Sequence, residues 1–186
     1  MYTKTPPKDL QKVWHEFVGK YFKNKNINSV LDVGSGWGKA KERLKIITEN
    51  VKTQDINRAL MNTIDYVCWP ASVNHSYDLV TAFDVIEHVT IDILNRWIDD
   101  ICFISNKYIF VATPNGNYHP NPWHYPPNEF LNIFDFHDHI NLINKKYFVR
   151  FKTGNEDYIK EVNKEEFIVL PSYGLGFCFE LDIKNE

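Results

Sequence analysis

Apolar positions along the chain switch between two periods, and the switches mark out its elements. Leu10, Val13, Trp14, Phe17, Val18, Tyr21 and Phe22 recur at i, i+3, i+4 and i+7, which predicts an amphipathic helix that lies on a sheet or over a ligand site. Lys23 to Asn26 then breaks the pattern with polar residues. Short apolar or β-branched runs follow at Val30–Val33, Val51–Asp55, Asp65–Cys68, Tyr77–Ala82 and Tyr108–Thr113, the kind of strand buried on both faces of a parallel sheet. Ile91, Leu94, Ile98 and Ile101 space a helix between the last two runs, with Asp92 in its first turn and Asn106 near its end, whereas Asn57–Asn62 leaves room for only one or two turns. Further on, Pro127 can open a helix, and Tyr147–Lys152, Phe167–Leu170 and Phe177–Ile183 read as three more strands. Alternating strands and helices imply an α/β class.

The sharpest break falls at the end of the first strand, where Gly34, Gly36 and Gly38 occupy alternate positions ahead of a segment rich in helix formers. A strand, a tight turn and a helix start let backbone approach a ligand closely and offer it unpaired N–H groups. Asp32 sits inside the apolar strand, where a carboxylate is costly unless it is used. A second acid, Asp55, closes the next strand 21 residues after Gly34, the place where doubly wound nucleotide-binding folds put a ribose-binding carboxylate. The third glycine comes one residue too early for the dinucleotide fingerprint G-x-G-x-x-G.

Leu31-Asp-Val-Gly-Ser-Gly-Trp-Gly38 resembles motif I of class I S-adenosylmethionine-dependent methyltransferases. Tyr77-Asp-Leu-Val-Thr-Ala-Phe-Asp-Val-Ile-Glu-His-Val89 is similar to motif IV of the small-molecule members, and the likeness extends from Ser29 to about Phe134. The resemblance implies a doubly wound Rossmann-like sheet of seven mostly parallel strands with a C-terminal antiparallel hairpin, so one of the three late runs is surplus or an added edge. It implies one domain over 1–186, with 1–26 as a covering helix, 27–115 as the cofactor-binding half and 116–186 as the substrate side. It also assigns S-adenosylmethionine as cofactor, with Asp32, Gly34, Ser35, Gly36 and Gly38 at its methionine part, Asp55 on the ribose and Ile56 on the adenine. Where the family carries an acid after the third strand this chain has Cys68-Trp69, which suggests stacking of adenine on Trp69 and backbone contacts. Ala82 and Phe83 are expected to face the cofactor, with Phe83 bordering its methionine chain.

Methyl transfer needs alignment and a deprotonated acceptor more than acid or base chemistry. His88 is the candidate base and Asp84 its neighbour on the acceptor side, the competing role for His88 being to cap the following helix. Glu87 belongs to the same cluster, and Tyr118, Trp123, His124 and Tyr125, in a loop dense in Pro and rings, are candidates for a lid or substrate wall. Asp84, Glu87 and His88 with His124 or His137 also resemble the set by which small-RNA 3′-terminal 2′-O-methyltransferases hold a divalent metal. The preferred reading is a metal-free enzyme that methylates a small molecule on O or N. The alternatives are that RNA enzyme and a cofactor-binding subunit without activity.

Composition adds bounds to this picture. The chain has 186 residues, 44% hydrophobic, enough for one self-sufficient core, and no apolar run approaches the roughly 20 residues of a membrane span. Met1–Lys8 has no apolar core segment, so no signal peptide is expected, and three scattered cysteines suit a reducing compartment, so a cytoplasmic monomer or homodimer is expected. The first 52 residues hold 11 Lys+Arg against 5 Asp+Glu while the whole chain is at -3; lysines that solvate helices account for this without a nucleic-acid partner.

Overall fold

The computed structural model describes residues 10–89, 91–114, 148–152 and 174–181. Helix α1 (Leu10–Phe22) leads into β1 (Val30–Val33), a glycine turn, α2 (Lys41–Leu44) and β2 (Val51–Asp55). Then come β3 (Tyr66–Val67), β4 (Tyr77–Phe83), α3 (Ile91–Phe103) and β5 (Ser105–Pro114), with β6 (Phe148–Lys152) and β7 (Gly174–Leu181) at the far edge. Strands β3-β2-β1-β4-β5 form a parallel sheet in that order, and β7 runs antiparallel to β5 with β6 outside it. The order reverses between β1 and β4, and in such sheets ligands bind beyond the carboxyl ends of the strands at this switch.

Strand side chains alternate between two cores, which is why apolar residues occur on both faces of β1, β4 and β5. Val30, Leu79, Phe83, Phe110 and Ala112 meet Trp14, Val18 and Phe22 of α1 on one face. Leu31, Val33, Val80, Ala82, Ile109 and Val111 meet Leu94, Trp97, Ile98 and Ile101 of α3 on the other. Ala82, expected beside Phe83 at the ligand, therefore points into the α3 core, because neighbours in a strand face opposite ways.

Several boundaries differ from the sequence reading, among them β7, which spans Gly174–Leu181 rather than Phe177–Ile183. The helix behind the glycines is a single turn: Gly38 at φ 70 delays its start, and the β-branched pair Ile46-Ile47 is a poor continuation. Strand β5 begins at Ser105 rather than Tyr108, since Ser105 pairs with Tyr77 across a bulge and polar Lys107 is held by Asp78 (3.0 Å) and the Asn26 carbonyl (2.8 Å). Helix α3 ends at Phe103, which is exposed, short of the Asn106 expected near its end. The short connection before β3 is braced by Asp65: partial burial works against its charge, but Lys41, Lys52 and Thr53 hydrogen-bond it and bring its pKa down to about 2. Phe167–Leu170, the helix opened by Pro127 and the ring-rich loop with Tyr118, Trp123, His124 and Tyr125 lie outside the described residues. Among the described residues no helix is long and apolar enough to cross a membrane.

Candidate functional site

Two adjoining cavities open at the carboxyl ends of β1, β2 and β4 and share Gly34 and Asp84 in their walls. One, of about 230 Å³ on the α1 side, is polar and lined by His15, Asp32, Ser35, Gly36, Lys39 and Phe83 among others. Its neighbour on the α3 side, about 240 Å³, is mostly apolar, with Ile56, Trp69, Val85, Val89 and Trp97 in its wall and Asp55 at its polar edge. The alternation of β1 explains the division: Asp32 faces the α1 side, and Val33 the other.

Gly34, Gly36 and Gly38 all have positive φ (65, 52 and 70), as the turn demands. A Cβ on Gly34 would lie 2.5 Å from Val85 Cγ2, whereas one on Gly36 would meet none of the described residues within 4 Å beyond its chain neighbours. The first glycine is thus needed for packing, and the second keeps an open space. Asp55 reaches back to the turn, where its Oδ2 accepts the Gly36 N–H at 3.0 Å and its Oδ1 the Asn57 N–H at 2.9 Å. A carboxylate has about four lone-pair directions, so two remain for a ligand's hydroxyls.

Asp32 is buried and accepts the Thr81 hydroxyl at 2.9 Å. Burial pushes its pKa up, Thr81 partly opposes this and the nearby Asp55 charge adds to it, leaving it at about 7. Unfolded, the group titrates near 3.8, so between about pH 4 and 7 the folded chain holds a proton that the unfolded chain has lost, and stability falls as pH rises through that window. The full loss is on the order of 4 kcal/mol for a shift of this size. Asp32→Asn, which cannot ionise, should flatten this slope; denaturant melts of both proteins at pH 5 and pH 8 measure it, and parallel slopes would show that Asp32 is not the titrating group.

Of the residues singled out in the sequence, Asp32, Gly34, Ser35, Gly36 and Phe83 line the polar cavity, and Asp55, Ile56, Trp69 and His88 the apolar one. Asp84 lines both, at φ 54, its backbone N–H bonded to the Ala112 carbonyl at 2.8 Å. Gly38 and Cys68 line neither: Gly38 shapes the turn, while the Cys68 side chain packs on the α3 core and its carbonyl accepts from Gln54 Nε2. His88 ends the short 3-10 turn Ile86–His88 and is exposed. Among the described residues no three His, Cys, Asp or Glu converge as metal ligands; the Glu87 side chain, His124 and His137 lie outside them.

Three polar residues escaped the sequence reading. His15 lies on the buried stripe of α1, three positions before Val18 and seven before Phe22, and that polar member of an apolar stripe was its signal. Gln54, a buried amide in β2, bridges the Cys68 carbonyl and the Gly34 N–H. Asp100 on α3 accepts the Trp69 indole N–H and fixes that ring as a cavity wall, with Arg96 6.0 Å from the ring centre; helix periodicity carries no mark of this.

No protein-family model matches the sequence, and no curated protein does. Solved structures do match the fold. A small RNA methyltransferase HEN1 superposes with a TM-score of 0.66 at 14% identity, over 98% of this chain and 26% of that one, so the chain spans about a quarter of its length. An S-adenosylmethionine-dependent methyltransferase from Clostridium acetobutylicum ATCC 824 gives 0.66 at 11% identity, over 93% and 95%. The N-methyltransferase NodS from Bradyrhizobium japonicum WM9, in complex with S-adenosyl-L-homocysteine, gives 0.62 at 10% identity, over 92% and 87%. The fold of this chain is that of class I S-adenosylmethionine-dependent methyltransferases.

Proposed function

We propose that this protein is an enzyme that transfers a methyl group from S-adenosylmethionine to the oxygen or nitrogen of a small-molecule acceptor. The observation that carries the reading is the paired cavity: a polar, glycine-walled half and an apolar, ring-walled half joined at Gly34, with the Asp55 carboxylate in the wall of the apolar half and accepting the N–H of Gly36 in the wall of the polar one. That shape and chemistry suit a nucleoside joined to a charged amino-acid chain. The empty direction at Gly36 and the buried Ser35 hydroxyl, which has no partner among the described residues, support the fit. When bound, S-adenosylmethionine supplies an electrophilic methyl group on a sulfonium sulfur. Asp55 would accept both ribose hydroxyls, Ile56 and Trp69 would enclose the adenine, and Asp32, Ser35 and Phe83 would border the amino-acid chain. Asp84 would orient the acceptor, and His88 would take its proton. In this reading the chain is one domain with a C-terminal antiparallel hairpin completing a seven-stranded sheet, needs no metal and works in the cytoplasm.

A second reading is RNA methylation, favoured by the likeness to the small RNA methyltransferase HEN1. Asp84 and His88 at the wall of one cavity are compatible with half of the metal set that such an enzyme would need. Purified protein supplied with labelled S-adenosylmethionine should methylate hydroxyl or amine compounds equally with and without a chelator. Transfer to the 3′ end of a short RNA, lost on chelation and restored by manganese or cobalt, would replace the first reading by the second.

A further inference from the structure

We propose that Gln54 is a spacer: its buried amide fixes the distance between the glycine turn and the loop that carries Trp69, and with it the length of chain that the site accepts between ribose and amino-acid group. The inference rests on the reading of the paired cavity as an S-adenosylmethionine site. Gln54 is 1% exposed and shares the wall of the apolar cavity with Gly34 and Trp69. Its Nε2 donates to the Cys68 carbonyl, and its Oε1 accepts the Gly34 N–H at 3.4 Å. A carbonyl only accepts and an N–H only donates, so a single orientation of the amide serves both partners.

A glutamine buried in a parallel strand costs free energy that an apolar side chain of the same reach would not. What offsets the cost is what the amide joins. On the turn side the Gln54 backbone carbonyl also accepts the Ser35 N–H at 2.9 Å, so Gly34 and Ser35 are both tied to this residue. On the other side the pairing of β2 with β3 ends at Val67, and the Cys68 N–H reaches the Asp55 carbonyl at 3.1 Å. The Cys68 carbonyl belongs to the next peptide, the one that leads into Trp69, so Gln54 grips this wall where strand pairing gives out. The two cavities meet at Gly34. A ligand with its base against Trp69 and its amino-acid end past Gly34 must bridge the distance that Gln54 holds, and a fixed distance rewards one chain length over its neighbours.

Calorimetry with two probes tests this: S-adenosylhomocysteine, and S-adenosyl-L-cysteine, which carries the same base, ribose, carboxylate and ammonium on a chain shorter by one methylene. Wild-type protein should prefer the longer probe by about tenfold or more, since misplacing an anchored group by about 1 Å is costly. Gln54→Met fills much the same volume without either hydrogen bond, and it should bring the two probes within about threefold of each other. Gln54→Glu keeps the reach: its protonated acid can accept from Gly34 and donate to Cys68, whereas its carboxylate cannot donate. The preference should therefore stand at pH 5 and fade at pH 9 in Gln54→Glu, with wild-type protein at both values correcting for Asp32, Asp55, Asp84 and His88 around the cavities. If Gln54→Met melts early, the Gln54→Glu pair decides, and a preference kept at pH 9 overturns the spacer. Equal losses for both probes in Gln54→Met, or no wild-type preference, would also overturn it and leave the cofactor reading intact. Failure of wild-type protein to bind either probe would overturn both.

Discussion

Asp55→Ala should weaken S-adenosylhomocysteine binding by about a hundredfold to ten-thousandfold, the loss expected when two charge-assisted hydrogen bonds of about 1.5 to 3 kcal/mol each disappear. Asp55 stands where the argument is strongest, since its two oxygens are already aimed by separate backbone N–H groups, Gly36 on Oδ2 and Asn57 on Oδ1. Asp55→Asn should fare little better. An amide offers one oxygen and one NH₂ group, so it can satisfy only one of the two N–H donors and turns a donor toward the other. The fold should lose only about 1 to 2 kcal/mol, because Asn57 is exposed and water can replace the lost acceptor there. Calorimetry beside a denaturant melt separates the two effects. An affinity that does not change would remove Asp55 from the ribose.

The glycine turn and the acid beside it were legible because their constraints are local. A turn that needs positive φ at 34, 36 and 38 writes three glycines into the sequence, and an acid inside an apolar strand stands out against its neighbours. The parallel strands were legible for a related reason: burial on both faces puts apolar residues side by side without alternation, as in Leu79-Val80. Contacts between distant segments leave no such mark. Nothing local in Asp100 tells that it holds the indole of Trp69, 31 residues away, and His15 finds Arg43 across 28 residues. Strand β5 started early for the same reason, since Lys107 belongs to the sheet through Asp78 and a bulge rather than through an apolar side chain. The orientation of Ala82 was misread for a simpler cause: a motif names neighbouring residues together, while a strand sends them to opposite faces.

Gly36→Val should abolish cofactor binding and leave the protein folded. At φ 52 a β-branched residue is strained by about 1 to 3 kcal/mol, which a domain can absorb, and its Cβ would meet none of the described residues within 4 Å beyond its chain neighbours. The new methyl groups would stand in the polar cavity beside Ser35, where the ligand's chain would otherwise pass. Gly34→Ala provides the contrast. Its φ of 65 carries a similar strain, but its Cβ would also come 2.5 Å from Val85 Cγ2 and 2.8 Å from Val85 Cγ1, so the end of β1 and the segment after β4 must move apart. The smaller substitution should therefore lower the melting temperature more than the larger one does. Circular dichroism melts rank the stabilities, and titration with S-adenosylhomocysteine reports binding. If Gly36→Val unfolds the chain while Gly34→Ala does not, the open space at Gly36 belongs to the architecture of the turn and not to a ligand.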